Sequence, residues 1–433
     1  MSQRRPRILL YSHDTFGLGH LRRTLAIAER VAGDRPQASQ LLITGSMVAG
    51  AFRLPPQLDL IKLPALSKKT SGQYKARALP LSLPQTIHWR EQMILQAVQA
   101  FEPDLVLVDK TPAGVEGELL PAIRYLKSWC PHVRLVLGMR DIEDASAATR
   151  AEWDANGTRY LHEEIYDRIL LYGQREIFDP IVEYGMSDAV AAKVDVCGYL
   201  GREISARPAA DVRRELNAGD RPLIVVTAGG GGDGFELLKA FMDSRALSQT
   251  IQQAHCLVVT GPLMSRGKRG LLQQASHVEH LTMLEFTPDL LSYLAAADLI
   301  VSMAGYNTVC EALTLGSRLL LVPRMRPRAE QQIRAERLAA IGLARVLTPE
   351  QLTPERLAHE IDTSLNAPRA AVTLDLDGLA RVSRALGAIL ADGRSSPKQG
   401  EPAEPAAARN GQLGATLERA TADMRAPQTE NQR

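Results

Sequence analysis

Two kinds of side chain in this sequence could do chemistry together: glycine-flanked backbone able to hold an anion, and a histidine able to take a proton. One stretch of the first kind is residues 296–332, AADLIVSMAGYNTVCEALTLGSRLLLVPRMRPRAEQQ. A short apolar run, Leu299 to Val301, has strand length and β-branched content. It runs into Ser302, Ala304 and Gly305, and helical spacing follows from Asn307 to Leu315. Gly316 stops that helix, and a second apolar run, Arg318 to Val322, is closed by Pro323. A strand–helix–strand unit of this size implies a parallel sheet with a right-handed crossover. Its turn brings free N–H groups and the positive end of a helix to one point, which suits phosphate. A second such turn is Ala228-Gly229-Gly230-Gly231-Gly232-Asp233-Gly234, between the apolar run 223–227 and a helix opening at Phe235. Only glycine lets backbone approach an anion so closely, and each glycine costs chain entropy on folding, so a ligand is the expected reason for this many. The histidine is His20, at the end of His13-Asp14-Thr15-Phe16-Gly17-Leu18-Gly19-His20, a glycine-containing turn after the first strand, Arg7 to Ser12. Turns at the carboxyl ends of strands are the ligand edge of doubly wound sheets. An imidazole there could serve as a base near neutral pH without large tuning, with His13 and Asp14 as the next candidates. Capping the helix or bonding a nearby carbonyl is the plainer role for His20.

The spaced combination Ala297-Asp298, Ala304-Gly305, Thr308-Val309, Glu311 and Gln331-Gln332 resembles the donor-site signature of glycosyltransferase family 28. The resemblance implies an α/β chain of GT-B architecture: two Rossmann-like parallel-sheet domains facing across a cleft. It also implies a nucleotide-sugar donor, with UDP as the nucleotide. In that pattern Gly305, Asn307 and Thr308 lie at the phosphates and Glu311 holds the ribose hydroxyls. Phe286 and Thr287 read the base through the backbone, and Gln331 or Gln332 contacts the sugar. Gly17, Gly19, Gly229, Gly230 and Gly231 complete the expected donor site. The resemblance also makes inversion at the sugar the expected outcome. Thr308 and Glu311 alone also fit a T-x-x-E capping box, which would only tie off a helix start. The loop SHDTFGLGHLRR departs from the family's GGTGGH, so the acceptor side is less defined.

Other nucleotide readings are weaker. Gly229, Gly231 and Gly234 match G-x-G-x-x-G, but the next strand ends Thr260-Gly261-Pro262 instead of in the acidic residue that a dinucleotide ribose needs. No Gly-Lys-Ser/Thr follows either glycine turn, so a Walker A site is absent. The one D-x-D, Asp375-Leu376-Asp377, comes late and follows no convincing strand. The expectation is therefore no metal and no cofactor beyond the donor substrate, with arginines of the 324–337 segment neutralising phosphate. Two other outcomes share the fold: a UDP-N-acetylglucosamine 2-epimerase-like enzyme, and a nucleotide-sugar-binding protein without catalysis.

Positioning such residues needs a long chain, and 433 residues exceed one ordinary core. The division expected is an N-terminal acceptor domain over 1–200, a C-terminal donor domain over 201–392, and a disordered tail over 393–433. That tail is rich in Ser, Pro, Glu, Gln and Ala and too poor in large apolar residues to order itself. Further strands are expected at 41–44, 58–63, 101–109, 133–138, 165–173, 194–197, 255–260 and 278–286. Asp109, Arg140 and Asp141 then fall at strand carboxyl ends, where they could bind acceptor. The last helix, 379–391, is expected to cross back onto the first domain. Apolar content of 45% and charged content of 23% are ordinary for a globular protein, and a net charge of +2 argues against a nucleic-acid partner. The four cysteines are scattered without a C-x-x-C pair, as befits free thiols in a reducing compartment. The first apolar run, Ile8 to Tyr11, is too short for a signal peptide, and no stretch approaches a membrane span. A cytoplasmic location is expected, with a peripheral place at the inner membrane face open to it. From Lys62 to Arg90 the chain has no acidic residue but carries Lys62, Lys68, Lys69, Lys75, Arg77 and Arg90, interleaved with Leu79, Leu81, Leu83, Ile87 and Trp89. This reads as a mobile solvated loop, or as a grip for a lipid-linked or membrane-proximal acceptor.

Overall fold

The computed structural model describes residues 4–13, 19–68, 74–201, 206–276, 278–324 and 326–395. Asp14, Gly17 and the expected tail beyond residue 395 lie outside them. Strands β1 (Arg7–Ser12), β2 (Ser39–Thr44), β3 (Leu58–Lys62), β4 (Leu66–Lys68) and β5 (Tyr74–Ala76) open the chain. They are followed by β6 (Leu105–Asp109), β7 (Arg134–Arg140), β8 (Arg168–Tyr172) and β9 (Val194–Val196). All except β4 and β5 form one seven-stranded sheet in the order β3-β2-β1-β6-β7-β8-β9, every pairing parallel. Ile8 to Tyr11 and Leu105 to Val108 are buried on both faces, which is why these strands read as unbroken apolar runs. The second half supplies β10 (Leu223–Thr227), β11 (His255–Val259), β12 (Leu281–Leu284), β13 (Leu299–Ser302), β14 (Leu319–Leu321) and β15 (Arg345–Val346). Their order is β12-β11-β10-β13-β14-β15, again parallel throughout.

Both sheets therefore have the doubly wound order, reversing between β1 and β6 in one and between β10 and β13 in the other. Crevices open beyond the carboxyl ends of strands at such reversals. In this chain those ends carry His13, Asp109, the Gly229–Gly234 turn and the Met303–Gly305 turn. All four strand ends contribute to one cleft between the sheets, through His13, Lys110, Gly229 and Met303.

The helix Gly378–Ser395 crosses back onto the first sheet, as expected. Leu379, Val382, Leu386, Ile389 and Leu390 join the apolar cluster of Ile8, Leu10 and Leu21, and the helix lies on Gly19–Asp34. The basic stretch after Lys62 is more ordered than its composition suggests. Leu66–Lys68 and Tyr74–Ala76 pair as an antiparallel hairpin, and Leu83–Phe101 is one long helix. Ser82 and Gln85 close a capping box at its start, with Pro84 in the first turn. That S-x-x-Q was the signal for a helix in this stretch. Arg90 is not a loop cation: it is buried, bonds Glu118 and donates to Pro64 O at 2.6 Å, pinning the base of the hairpin to the helix Leu83–Phe101.

Candidate active site

The parallel register sets Ser12 beside Asp109, so the turn after β1 and the end of β6 adjoin. The helix Gly19–Asp34 starts above them, and His20 and Arg23, three residues apart, share its sheet-facing side. His20 Nδ1 lies 2.5 Å from Asp109 Oδ2. Arg23 grips the same carboxylate with two bonds, Nε to Oδ1 at 2.8 Å and Nη2 to Oδ2 at 2.7 Å. Its guanidinium also sits 5.6 Å over the Tyr306 ring. Burial alone would raise the Asp109 carboxyl, but Arg23 and His20 override it and hold the group well below the usual carboxylate range. An ionised Asp109 takes the Nδ1 hydrogen of His20, which leaves Nε2 with its lone pair. Burial lowers the His20 imidazole further than Asp109 can lift it, to about 4. His20 is thus neutral, held in one tautomer, and 16% exposed to the cleft. His13 stacks edge-on against it at 5.4 Å and is itself pushed down by burial.

Across the gap, the turn after β10 owes its glycines partly to packing. Gly231 has φ 89°, and a Cβ there would stand 2.3 Å from Thr260 O. Gly261, φ 85°, would strike Gly230 C at 2.5 Å, so the two turns interlock backbone to backbone. Gly229, Gly230 and Gly231 all line the cleft, and a Cβ on Gly229 would meet nothing. Gly305 is the N-cap of the helix Tyr306–Thr314 and also has open space at its Cβ position. Among the described residues no side chain caps this helix, and its first turn lines the cleft with Tyr306, Asn307 and Thr308. The capping-box reading of Thr308 and Glu311 is thereby corrected. The helix starts at Tyr306, too early for Thr308 to be its cap.

Glu311 is buried at 2% exposure and does not contribute to the cleft wall; its Oε1 accepts from Arg22 Nη2, of the opposite domain, at 2.5 Å. Asn307 Nδ2 donates to Gly19 O at 2.9 Å, a second tie between the halves. Phe286 and Thr287 line the cleft, and Phe286 meets Phe52 of the first domain edge-on at 5.9 Å. Gln331 also lines it, its Oε1 accepting from Arg324 N at 3.1 Å. Gln332 does not: it turns along its helix to Glu336, at 2.9 Å. Of the neighbouring arginines that line the cleft, Arg334 keeps Nε and Nη2 without hydrogen-bond partners among the described residues, whereas the other two are engaged. Arg324 is held by Asp233 at 3.0 Å and Glu330 at 2.7 Å, and Arg328 by both oxygens of Glu152 at 3.0 Å. The Asp375-Leu376-Asp377 segment is remote from this wall. Asp375 bonds Arg381 and, through its carbonyl, Tyr199 N at the crossing between the domains.

The cleft measures about 1680 Å³, more than a drug-sized ligand fills. It therefore has room for two molecules at once. The histidine was recognisable from its turn. The Asp109–Arg23 grip on it was not, because it depends on a contact 89 residues apart in the chain.

The sequence model of the glycosyltransferase family 28 C-terminal domain matches residues 223–375. A Vibrio vulnificus relative, UDP-N-acetylglucosamine–N-acetylmuramyl-(pentapeptide) pyrophosphoryl-undecaprenol N-acetylglucosamine transferase, is 32% identical over 125 residues, which are 27% of this chain and 35% of that protein. The Vibrio atlanticus protein of the same name is 25% identical over 293 residues, 65% of this chain and 79% of its own. Among solved structures, Acinetobacter baumannii MurG superposes with a TM-score of 0.51 at 17% identity, over 89% of this chain and 99% of that one. A Listeria monocytogenes protein assigned as a UDP-N-acetylglucosamine 2-epimerase gives 0.58 at 14% identity, over 94% and 100%. These likenesses in structure speak for the fold alone. Residues 223–375 thus resemble the C-terminal domain of glycosyltransferase family 28, and the two parallel sheets have the GT-B fold of the solved neighbours.

Proposed function

We propose that this protein is a hexosyltransferase, moving a hexose or N-acetylhexosamine from a nucleotide sugar, with UDP as the nucleotide, to an acceptor hydroxyl. One observation carries the reading: a neutral, tautomer-locked histidine faces an uncapped helix N-terminus and a glycine turn across a single cleft. The acceptor oxygen bonds to the anomeric carbon as the bond from that carbon to the phosphate oxygen breaks. His20 Nε2 takes the acceptor proton, and nucleoside diphosphate leaves. Direct displacement of this kind inverts the sugar. The departing charge falls on the N–H groups of residues 306–308 and the Gly229–Gly231 backbone, which act where negative charge develops. No metal is needed in this scheme. Glu311 takes the ribose hydroxyls once Arg22 yields it, Phe286 and Thr287 take the base, and Gln331 the sugar.

The relatives' acceptor is a pyrophosphoryl-undecaprenol lipid by name. For this chain a membrane-proximal place on the cytoplasmic side is supported by Leu79 and Trp89, 44% and 47% exposed, with the exposed Lys62, Lys75 and Arg77 around the hairpin. Among the described residues no helix is long and apolar enough to cross a membrane. The epimerase reading draws on the fold likeness to the Listeria protein, and incubation with UDP-N-acetylglucosamine alone separates the two, because an epimerase turns over without acceptor. Thermal shifts with a panel of nucleotide sugars test the donor site. A UDP-sugar shift that is lost in Glu311→Ala and kept in His20→Ala, with turnover lost in both, supports the assignment. A protein that no nucleotide sugar stabilises would refute it.

A further inference from the structure

Arg334 lines the cleft without a part so far in binding the donor or taking the proton. It sits three residues after Gln331 on the helix Glu330–Ala340, so the two share a face, and it is 1% exposed. Its Nη1 donates to Ala304 O at 3.1 Å, and its guanidinium stands 5.5 Å from the centre of the Tyr306 ring. Nε and Nη2 have no hydrogen-bond partners among the described residues; Asp141 Oδ1 is 3.9 Å from Nη2, too far for a bond. The carbonyl that Arg334 grips belongs to an uncommon backbone. Ala304 has φ 61°, a left-handed conformation that residues with a side chain seldom adopt, and Gly305 after it is the N-cap of the helix Tyr306–Thr314. Such a backbone persists where its surroundings hold it. The peptide between Ala304 and Gly305 is trans and flat, so its C=O and N–H point opposite ways. With the carbonyl turned to Arg334, the N–H of Gly305 points away from Arg334, and Gly305 lines the cleft. Reversed, the same peptide would offer an oxygen where it now offers a hydrogen.

We propose that Arg334 is a positioning residue: it locks the Ala304–Gly305 peptide with its N–H toward the departing diphosphate and its carbonyl away from it. The charge spread over its two unbonded nitrogens adds positive potential behind that peptide, where negative charge develops. The proposal rests on the transfer reading given above and adds a residue to it. A direct grip on the donor's phosphates is the other role open to a buried arginine, and kinetics separate the two. A residue that binds phosphate in the ground state sets the donor KM, whereas one that aims a hydrogen at developing charge sets kcat. Burial of the guanidinium behind the turn, with one of its nitrogens already bonded to that turn, favours the second.

The test uses the full chain with UDP-glucose or UDP-N-acetylglucosamine, water and then a panel of sugars serving as acceptor, and reads UDP release. Loss of one preorganised donor costs about 10²–10³ in kcat. Arg334→Met should slow turnover by about that factor and move the donor KM less than about threefold, and Arg334→Lys, which keeps a charged donor, should recover part of the rate. Arg334→Met also deprives Asp141, 0% exposed, of its nearby cation, so Arg334→Met/Asp141→Asn is made beside it; it should melt closer to the unaltered chain and stay as slow. Ala304→Gly, freed of left-handed strain, should melt no lower than the unaltered chain yet release UDP several-fold more slowly, because glycine lets the peptide turn. A crystal structure of Arg334→Met should show the Ala304–Gly305 carbonyl swung to the cleft. Undiminished kcat in the folded double variant, a donor KM that rises as far as kcat falls, or an unmoved peptide in that crystal overturns the proposal. Failure of the unaltered chain to release UDP from any nucleotide sugar sinks the transfer reading and this one with it, whereas full turnover without Arg334 sinks this one alone.

Discussion

Consider the replacement of His20 by alanine, read together with the pH profile of the unaltered enzyme. A positioned general base contributes about 10²–10⁴ in rate. His20→Ala should therefore lower kcat by that factor, about 3–5 kcal/mol of barrier at roughly 1.36 kcal/mol per decade, with little change in donor affinity. The pH profile carries the sharper number. Burial holds the folded imidazole at about 4, against an ordinary value of 6.5. The neutral form is the competent one, so kcat/KM should be flat from neutral pH to about pH 5 and then fall tenfold per unit below about 4. The same shift affects stability. Between about pH 6.5 and pH 4 the unfolded chain binds a proton at this site and the folded chain does not, so stability is present above that window and declines through it on acidification. The ceiling is about 3 kcal/mol. Rates must accordingly be taken where the melting temperature shows the protein to be folded. Initial UDP release across pH 4–8, with His20→Ala beside it, is the assay; the variant should show a low profile without the acid limb. A limb near 6.5, or a loss in His20→Ala of less than tenfold, would refute the argument.

Four further outcomes follow from the same geometry. Asp109→Asn strands Arg23, 3% exposed, without its carboxylate; denaturant unfolding should show a loss of about 3–5 kcal/mol, part of it recovered with Arg23→Met, and a cost under about 1 kcal/mol would count against the pair. Gly231→Ala must drive a Cβ toward Thr260 O from a left-handed backbone, so its melting temperature should drop. Gly305→Ala, whose Cβ enters open cleft, should instead keep the melting temperature and lose donor affinity. Arg22→Ala removes a contact that competes for Glu311; calorimetry should find UDP bound several-fold more tightly, and weaker binding would mean that Arg22 serves the donor itself.

The strands were readable from sequence because a doubly wound sheet buries both faces. Runs such as Leu105 to Val108 need no partner to be recognised. The glycine turns were readable for the same local reason, since left-handed backbone at Gly231 and Gly261 leaves glycine little competition. What sequence withheld was whatever depends on a neighbour far away in the chain. Asp109 could be placed at a strand end, but its hold on His20 exists only because β1 and β6 adjoin in register. Glu311 fits its motif, yet its engagement by Arg22 is a product of how the two domains meet. Gln331 and Gln332 were equivalent as letters; helix rotation alone sends one to the cleft and the other to Glu336. The stretch from Lys62 to Arg90 misled through composition, because a run without acids hid a capped helix whose Arg90 is paired with Glu118.

The return of the last helix has a practical outcome for anyone dissecting the chain. Residues 379–390 furnish an outer wall for a core whose other walls come from the opening residues. A fragment ending near residue 201 would leave Ile8, Leu10 and Leu21 partly stripped of cover, sticky and short of cooperativity. The two halves are separable on paper only; supplied in trans, the missing helix should restore solubility to the shortened piece.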